Sequence, residues 1–372
     1  MPLRALARVN LAAIERNVAR LRGGLAPGAQ MCAVVKADAY GHGAAPCARA
    51  ALRGGASWLA VATAQEALAL REAGIEAPLL VMGALSKEEV GVAVAARADI
   101  VAWDPAFLEL VPPDRPVRVH VKLDTGMGRL GTRELGQALA VAERVMSRAN
   151  LELAGAMTHF ATSDEDLEFL EAQLAAFAPF VAQVRRQAPR ALVHAANSAA
   201  TLRVPASHFD LVRCGIAIYG CDPMHEDPGQ HGLEPALELT SYVAAVKRAR
   251  PGESAGYGRR FIAERETWIA TVPIGYGDGV RRALTNNCDV LIGGRRYPLV
   301  GTVSMDNITV EVGSAGAVGV GETVTLIGGD RAERVSAEEV ARRLGTINYE
   351  VVTALLPRVP RHHHRDGAPC DE

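Results

Sequence analysis

The chain lacks most of the features that would set it apart from an ordinary soluble globular protein. No CxxC pair occurs among its six cysteines (Cys32, Cys47, Cys214, Cys221, Cys288 and Cys370), and their spacing forms no framework. In a chain of 372 residues that usage reads as free thiols in a reducing compartment. There is no excess of positive charge: 40 Lys and Arg face 42 Asp and Glu, so nucleic acid is not an expected partner. No uninterrupted run of about 18 apolar residues occurs, and no membrane span is expected. The first twenty residues carry Arg4, Arg8, Glu15 and Arg16 among their apolar positions, an amphipathic start rather than the apolar core of a signal peptide. A cytoplasmic protein is expected.

What the chain does contain is a rhythm. Its length exceeds the usual single core, so one large and one small domain are expected. Eight short apolar runs lie at 31–36, 58–63, 79–83, 100–103, 117–122, 153–159, 192–196 and 209–213. Helix-like segments rich in Ala, Arg and Glu fall between them, as at 11–21, 64–73, 134–148 and 166–187. Eight strand-helix units predict an α/β fold, a (β/α)8 TIM-like barrel over 11–232. A doubly wound open sheet is the alternative; the absence of G-x-G-x-x-G after the first strand counts against it.

After about residue 230 the pattern changes. The stretch 225–235 reads as a Pro- and Gly-rich linker. Strand-like alternations follow at 237–249, 267–274, 289–292, 298–303, 308–312 and 323–327, then a helix capped at Ser336 and running to Leu344. A second, mostly β domain is expected over 233–360, with residues 1–10 adding an edge strand to it. The tail 361–372, including His362, His363 and His364, reads as polar and disordered.

Chemically capable residues sit where the barrel runs end: Lys36, Lys122, His159, Asn197 and Arg213. Strand C-termini of such a barrel converge on one mouth, the usual place for an active site. Lys36 closes an apolar run and precedes Gly41 and Gly43. Burial lowers the pKa of such an amine and makes it a candidate Schiff-base former. The residues alone leave a second reading open, an ammonium that simply reaches water at the barrel mouth.

The string Lys36-Ala37-Asp38-Ala39-Tyr40-Gly41-His42-Gly43 resembles the cofactor-lysine motif of the alanine racemases. So do 120–131, with Lys122 and Arg129; Thr158-His159-Phe160; Ala196-Asn197-Ser198; 212–220, with Arg213, Gly215 and Ile216; Ala255-Gly256-Tyr257-Gly258-Arg259; 274–279, with Tyr276; Val303-Ser304-Met305-Asp306; and Ile347-Asn348-Tyr349-Glu350. Three departures stand out: Gly256 where serine is expected, Gly277 where alanine is common, and Asn10 where aspartate is usual.

The resemblance implies a pyridoxal 5'-phosphate enzyme interconverting L- and D-alanine, the D-alanine feeding peptidoglycan precursors. It implies that Lys36 holds the cofactor as a Schiff base and that Lys36 and Tyr257 are the two opposed acid/base groups. A phenol ordinarily titrates near 10, so nearby cations such as Arg129 are needed for it to work near neutrality. Tyr40, Ser198, Gly215, Ile216 and Tyr349 are implied as phosphate contacts, Asn197 as a further cofactor contact, His159 as a ring-stacking group and Arg213 as the partner of the pyridine nitrogen. Arg129, Tyr276, Met305 and Asp306 are implied to meet substrate, and Lys122 to carry a carbamate; an ordinary Lys122–Asp124 pair is the other reading. An arginine can only donate to the ring nitrogen, which should leave the ring neutral and suppress decarboxylation and transamination. A homodimer with composite active sites is implied, Tyr257 and Met305 reaching the partner's barrel. Rival readings are a serine, lysine or broad-specificity racemase, a fold-related decarboxylase and a non-catalytic cofactor-carrier protein.

Overall fold

The computed structural model describes residues 3–370. Met1 and Pro2 of the expected 1–10 strand, and Asp371 and Glu372 of the expected tail, lie outside the described residues. The chain divides into two compact units.

The larger unit, Ile14–Met224 with Gly229–Glu234, contains eight parallel strands. They are Gln30–Val34, Trp58–Val61, Leu79–Val81, Asp99–Ala102, Val117–Lys122, Leu151–Met157, Leu192–His194 and Leu211–Cys214. The first seven pair successively along the chain, and the eighth pairs with the first, Gln30 opposite Leu211. Asp210 N to Val193 O (3.0 Å) and Arg213 N to Ala196 O (2.9 Å) tie the remaining seam. The result is the expected (β/α)8 barrel. Strands such as Trp58–Val61 and Leu79–Val81 are buried throughout, which is why they read as unbroken apolar runs. Each fully buried Leu, Val or Ile contributes about 1.5–3 kcal/mol. Two of the helices are started by capping boxes, Thr63 with Glu66 and Ser86 with Glu89.

Helix Leu167–Gln187 is, by length and composition, apolar enough to cross a membrane. Polar positions interrupt it, so it contains no unbroken apolar run of that length. Its buried residues Leu170, Gln173, Phe177, Phe180 and Val184 recur at helical spacing as the inner face of a barrel helix.

The second unit comprises the described residues to Ala13, His225–Pro228 and the chain from Pro235 onward. Its main sheet runs in the order Arg295–Pro298, Asp289–Ile292, Thr323–Asp330, Leu237–Tyr242, Leu6–Asn10, Arg361–Arg365 and Ala368–Pro369. A three-stranded sheet joins Ala245–Ala249, Thr267–Val272 and Ile308–Glu311. Helix Ala337–Leu344 starts at Ser336, whose hydroxyl accepts from Glu339 N (3.1 Å).

Four expectations need correction. The run 237–249 is two strands in different sheets. The strand expected at 298–303 lies earlier, at Arg295–Pro298, because Gly293 and Gly294, both at positive φ, form a two-residue hairpin from Asp289–Ile292. The stretch expected to be a linker, 225–235, contains a 3-10 turn, Pro228–His231, and His231 Nδ1 lies 2.6 Å from Asp222 Oδ2.

The tail is the fourth. Arg361–Arg365 is a strand, paired in parallel to residues 7–10, so Leu6–Asn10 is flanked on both sides and is no edge. Its backbone finds partners on the far side of Leu6–Asn10, and Asn10 adds a clasp. Asn10 Nδ2 donates to Asp366 Oδ1 (2.9 Å) while Asn10 Oδ1 accepts from Asp366 N (3.1 Å). An aspartate could make only the second bond.

Candidate active site

Lys36 does not end a strand, as its apolar run suggests, but opens a left-handed turn. Ala37, Asp38, Ala39 and Tyr40 all have φ between 52° and 54°, a conformation costing an L-residue about 1–2 kcal/mol. Tertiary bonds hold it. Glu66 Oε1 accepts from Ala37 N (2.6 Å), Asp38 Oδ1 accepts from Ala44 N (2.8 Å), and Gly43 N donates to Asp38 O (2.9 Å). His42 is buried and stacks on Tyr219 at 4.5 Å. The turn leaves Lys36 half-buried. Its pKa falls below the usual lysine value, through desolvation first and the charge of Arg129 second.

Tyr40, on the same turn, is buried against Gly215. A Cβ on Gly215 would lie 2.3 Å from the Tyr40 hydroxyl, so only glycine admits that approach. Ser198 Oγ accepts from Gly215 N (3.0 Å) and Ala217 N (3.4 Å), and buried Ile216 opens the following 3-10 turn. Tyr40, Ser198, Gly215 and Ile216 are thus brought together. Asn197 serves the local scaffold: its Oδ1 caps the helix Ser198–Arg203 at Ala200 N (3.0 Å) and accepts from Ser163 Oγ (2.9 Å).

Arg213 is buried among acceptors. Its Nη1 donates to His194 Nδ1 (2.7 Å), and its Nη2 to Thr158 O (2.9 Å), Ala195 O (2.9 Å) and His159 Nδ1 (3.2 Å). Burial brings its pKa down to about 10, and among the described residues no carboxylate pairs with it. Burial, with Arg213 next in weight, also drives His159 well below the usual histidine range. His159 is therefore a neutral ring at the mouth.

Lys122 is buried and its pKa falls to about 8, through desolvation and then the charges of Arg213 and Arg129. It forms no surface pair with Asp124. That carboxylate accepts instead from Gly126 N (3.1 Å), Gly128 N (3.0 Å) and Arg133 Nε (3.2 Å), folding the loop that carries exposed Arg129. Gln173, which sequence reasoning missed, fastens this loop to the His159 strand end through Thr125 Oγ1 and His159 O, both at 3.2 Å. A polar residue on the apolar face of its helix was the available signal.

The remaining expected residues belong to the second unit. Tyr257 stands on a Gly-Tyr-Gly turn, 74% exposed, with Thr302 Oγ1 donating to its carbonyl (2.6 Å). Gly256 there has φ +75°, a reason for glycine in place of serine. Tyr276 and Met305 are knit together: Tyr276 N donates to Ser304 O (3.0 Å) and Gly277 N to Met305 O (2.9 Å). Arg358 braces both, donating to Met305 O (3.0 Å) and pairing with Asp306 (2.9 Å) and buried Asp278 (2.8 Å). A Cβ on Gly277 would fall 2.3 Å from Arg358 Nη2, the tip of a flexible side chain that would have to shift to admit it. Asp306 is thus engaged by an arginine of its own unit. Tyr349 lies on helix Asn348–Thr353 beside His225, ring centroids 6.2 Å apart.

The comparisons with known proteins agree with one another. The family model described as the alanine racemase N-terminal domain matches residues 9–223, and that of the C-terminal domain matches 236–363. An alanine racemase of Halalkalibacterium halodurans is 42% identical over 96% of this chain and 95% of its own length. One from Geobacillus kaustophilus is 42% identical over 96% of this chain and 94% of its own. The crystal structure of the Bacillus anthracis alanine racemase with bound L-Ala-P superposes with a TM-score of 0.92 at 38% identity, covering 100% of this chain and 98% of that one.

Proposed function

The chain belongs to the alanine racemase family, and on that premise we propose how its residues interconvert L-alanine and D-alanine with pyridoxal 5'-phosphate. The barrel mouth fits that cofactor. It offers one half-buried amine of lowered pKa, hydroxyls and amides suited to a phosphate, and a cradle at Gly215 that a side chain would fill. The Lys36 turn is the observation that carries the reading: one left-handed segment, held by tertiary bonds, presents both the Lys36 amine and the Tyr40 phenol.

Lys36 would hold the cofactor; Ser198, the amides of Gly215 and Ile216, Tyr40 and Tyr349 would hold its phosphate, Arg213 its ring nitrogen and His159 its ring face. When bound, the cofactor supplies an electron sink that acidifies the substrate's α-proton. Inversion then needs a proton taken from one face and another delivered to the opposite face. Lys36 Nζ serves one face, its pKa lowered by desolvation and by the charge of Arg129. Tyr257 Oη serves the other. Arg129 attracts the substrate carboxylate, and Tyr276 and Met305 bound the space for a small side chain.

Lys122 is the proposed carbamate site. With a pKa near 8, part of the amine is neutral and can attack carbon dioxide, forming an N–C bond and releasing a proton. The buried cation becomes an anion able to hold Arg129. Tyr257 at 74% and Met305 at 53% exposure are large apolar groups presented to solvent, which supports a homodimer in which each enters the partner's barrel. D-alanine made in the cytoplasm, for peptidoglycan precursors, completes the reading.

Racemisation of L-alanine, L-serine and L-lysine, with and without added cofactor, tests it. L-alanine should be the preferred substrate, and borohydride should fix the cofactor to the peptide bearing Lys36. Preference for serine or lysine, or cofactor fixed on Lys122, overturns it.

A further inference from the structure

A line of four buried or part-buried polar groups crosses the barrel interior from Arg213. His194 Nδ1 is 2.7 Å from Arg213 Nη1, His194 Nε2 is 2.7 Å from His120 Nδ1, and His120 Nε2 is 3.0 Å from Asp99 Oδ2. Both imidazoles are wholly buried. None of the proposed catalytic steps uses Asp99, His120 or His194.

Donor and acceptor logic orients the whole line. A guanidinium only donates, so His194 Nδ1 must accept and the His194 proton sits on Nε2. That proton is donated to His120 Nδ1, which places the His120 proton on Nε2, donated in turn to the Asp99 carboxylate. A doubly protonated His120 would donate from both nitrogens. His194 would then carry its proton on Nδ1, pointing at an N–H of Arg213. Burial and the charge of Arg213 keep His194 neutral. Every bond therefore runs one way, from cation to carboxylate.

The backbone is shaped around this line. Gly155 lies in the strand Leu151–Met157, where the pairing with Val117–Lys122 shifts register between Val119 and His120. A Cβ on Gly155 would lie 2.2 Å from His120 Nδ1 and 2.8 Å from Leu192 O. The missing side chain makes room for the His120–His194 contact. At the far end, Asp99 Oδ2 also accepts from Arg118 Nε (3.1 Å), and Arg118 pairs with Glu152 (2.6 Å). Asp99 begins its strand and Arg213 is the third residue of its four-residue strand. The line thus joins the floor of the barrel to its mouth.

We propose that Asp99 and His120 are positioning residues for Arg213: by fixing His194 as an Nδ1 acceptor, they hold the guanidinium plane in place from the barrel floor. The buried cation, which has no carboxylate beside it, is thereby tied to a counter-ion two imidazoles away. The inference rests on the reading of Arg213 as partner of the cofactor's ring nitrogen only for its effect on turnover.

The test is 15N NMR of the histidine ring nitrogens in the holoenzyme. Both His120 and His194 should carry protons on Nε2 alone. In Asp99→Leu, where nothing holds the His120 proton on Nε2, Nδ1–H forms should appear at both rings as the Arg213 Nη1 bond to His194 Nδ1 is given up, with kcat down about 10- to 100-fold, the range for an outer partner that orients a functional group, and KM little changed. Asp99→Asn, which still presents an oxygen to His120, should restore the tautomers and much of kcat. An Nδ1–H form of either ring in the parent, or unchanged tautomers in Asp99→Leu, overturns the proposal; the parent measurement requires no variant to fold. If the tautomers respond in Asp99→Leu but kcat does not, the orienting line stands and the reading of Arg213 as the cofactor's partner falls.

Discussion

Gly215 and Tyr40 share a single volume: the space a Cβ would occupy on one lies 2.3 Å from the hydroxyl of the other. The first prediction is that Gly215→Ala displaces the Tyr40 ring and spoils the anion cradle without unfolding the barrel. Overpacking of this kind costs about 1–3 kcal/mol, and most of it should fall on cofactor affinity, lowered about tenfold or more. Reconstitution of the apoenzyme with pyridoxal phosphate measures it; an unchanged affinity would show that the cradle lies elsewhere.

Lys122 supplies a prediction in pH. Its pKa is lowered from 10.5 to about 8 in the folded chain. Between these values the unfolded chain binds the extra proton and the folded chain does not, so stability rises with pH across that window. Below pH 8 the full penalty of a buried ammonium is present. Lys122→Met should therefore stabilise the carbon-dioxide-free protein at pH 7 by about 3 kcal/mol, at ~1.4 kcal/mol per unit, with the gain fading toward pH 10.5. Urea unfolding of both proteins reads the difference. Bicarbonate should narrow it and produce a 13C carbamate resonance in the parent alone. A gap indifferent to bicarbonate sinks the carbamate.

Tyr257 is 74% exposed and bonded through its backbone, so removing its hydroxyl should leave stability within about 0.5 kcal/mol. Tyr257→Phe should cut racemisation by about 10²–10⁴, the usual worth of one general base, with cofactor still fixed at Lys36. Near-normal turnover in both directions would rule out a tyrosine on the second face.

Much of this could be read before the structure, and the reasons differ by element. Barrel strands were legible because parallel strands buried on both faces become apolar runs, and their ends point at the chemistry. The left-handed turn at 37–40 was not, because no glycine marks it; Glu66 on Ala37 N, and His42 Nδ1 at 3.0 Å from Ala39 O and Tyr40 O, hold it. The hairpin at Gly293–Gly294 is marked in the sequence by its glycine pair. The line from Asp99 to Arg213 joins residues 21, 74 and 19 positions apart, and no local pattern encodes it. The tail misled because a polar strand bordering a sheet has the composition of a solvated segment.

That tail yields a fourth prediction. Asn10 Nδ2 donates to Asp366 Oδ1 at 2.9 Å, while Asn10 Oδ1 accepts from both Asp366 N and Ala12 N at 3.1 Å. Asn10→Asp keeps the accepting role and sets two carboxylates against each other. The strand Arg361–Arg365 should lose about 1 kcal/mol of local protection. Hydrogen exchange should report this at 361–369 and nowhere in the barrel, with part of the loss recovered at high salt. Unaltered exchange would mean that the strand pairing alone holds the tail.

Arg213→Glu is the most informative single change. The guanidinium faces two carbonyl oxygens and two imidazole nitrogens, all accepting. A carboxylate there meets acceptors on every side, so the variant should lose stability by about 3–5 kcal/mol, as when one partner of a buried charged network is removed. Protonation of His194 on Nδ1 would relieve part of that conflict and is visible by 15N NMR. A carboxylate beside the ring nitrogen would also keep it protonated and strengthen the electron sink. In the surviving folded holoenzyme, racemisation should slow, a new long-wavelength absorption band should appear, and pyruvate should form as a transamination product. An Arg213→Glu enzyme that racemises at the parental rate, with no new band and no pyruvate, would reduce Arg213 to scaffold. Reaction specificity would then have to arise elsewhere in the mouth.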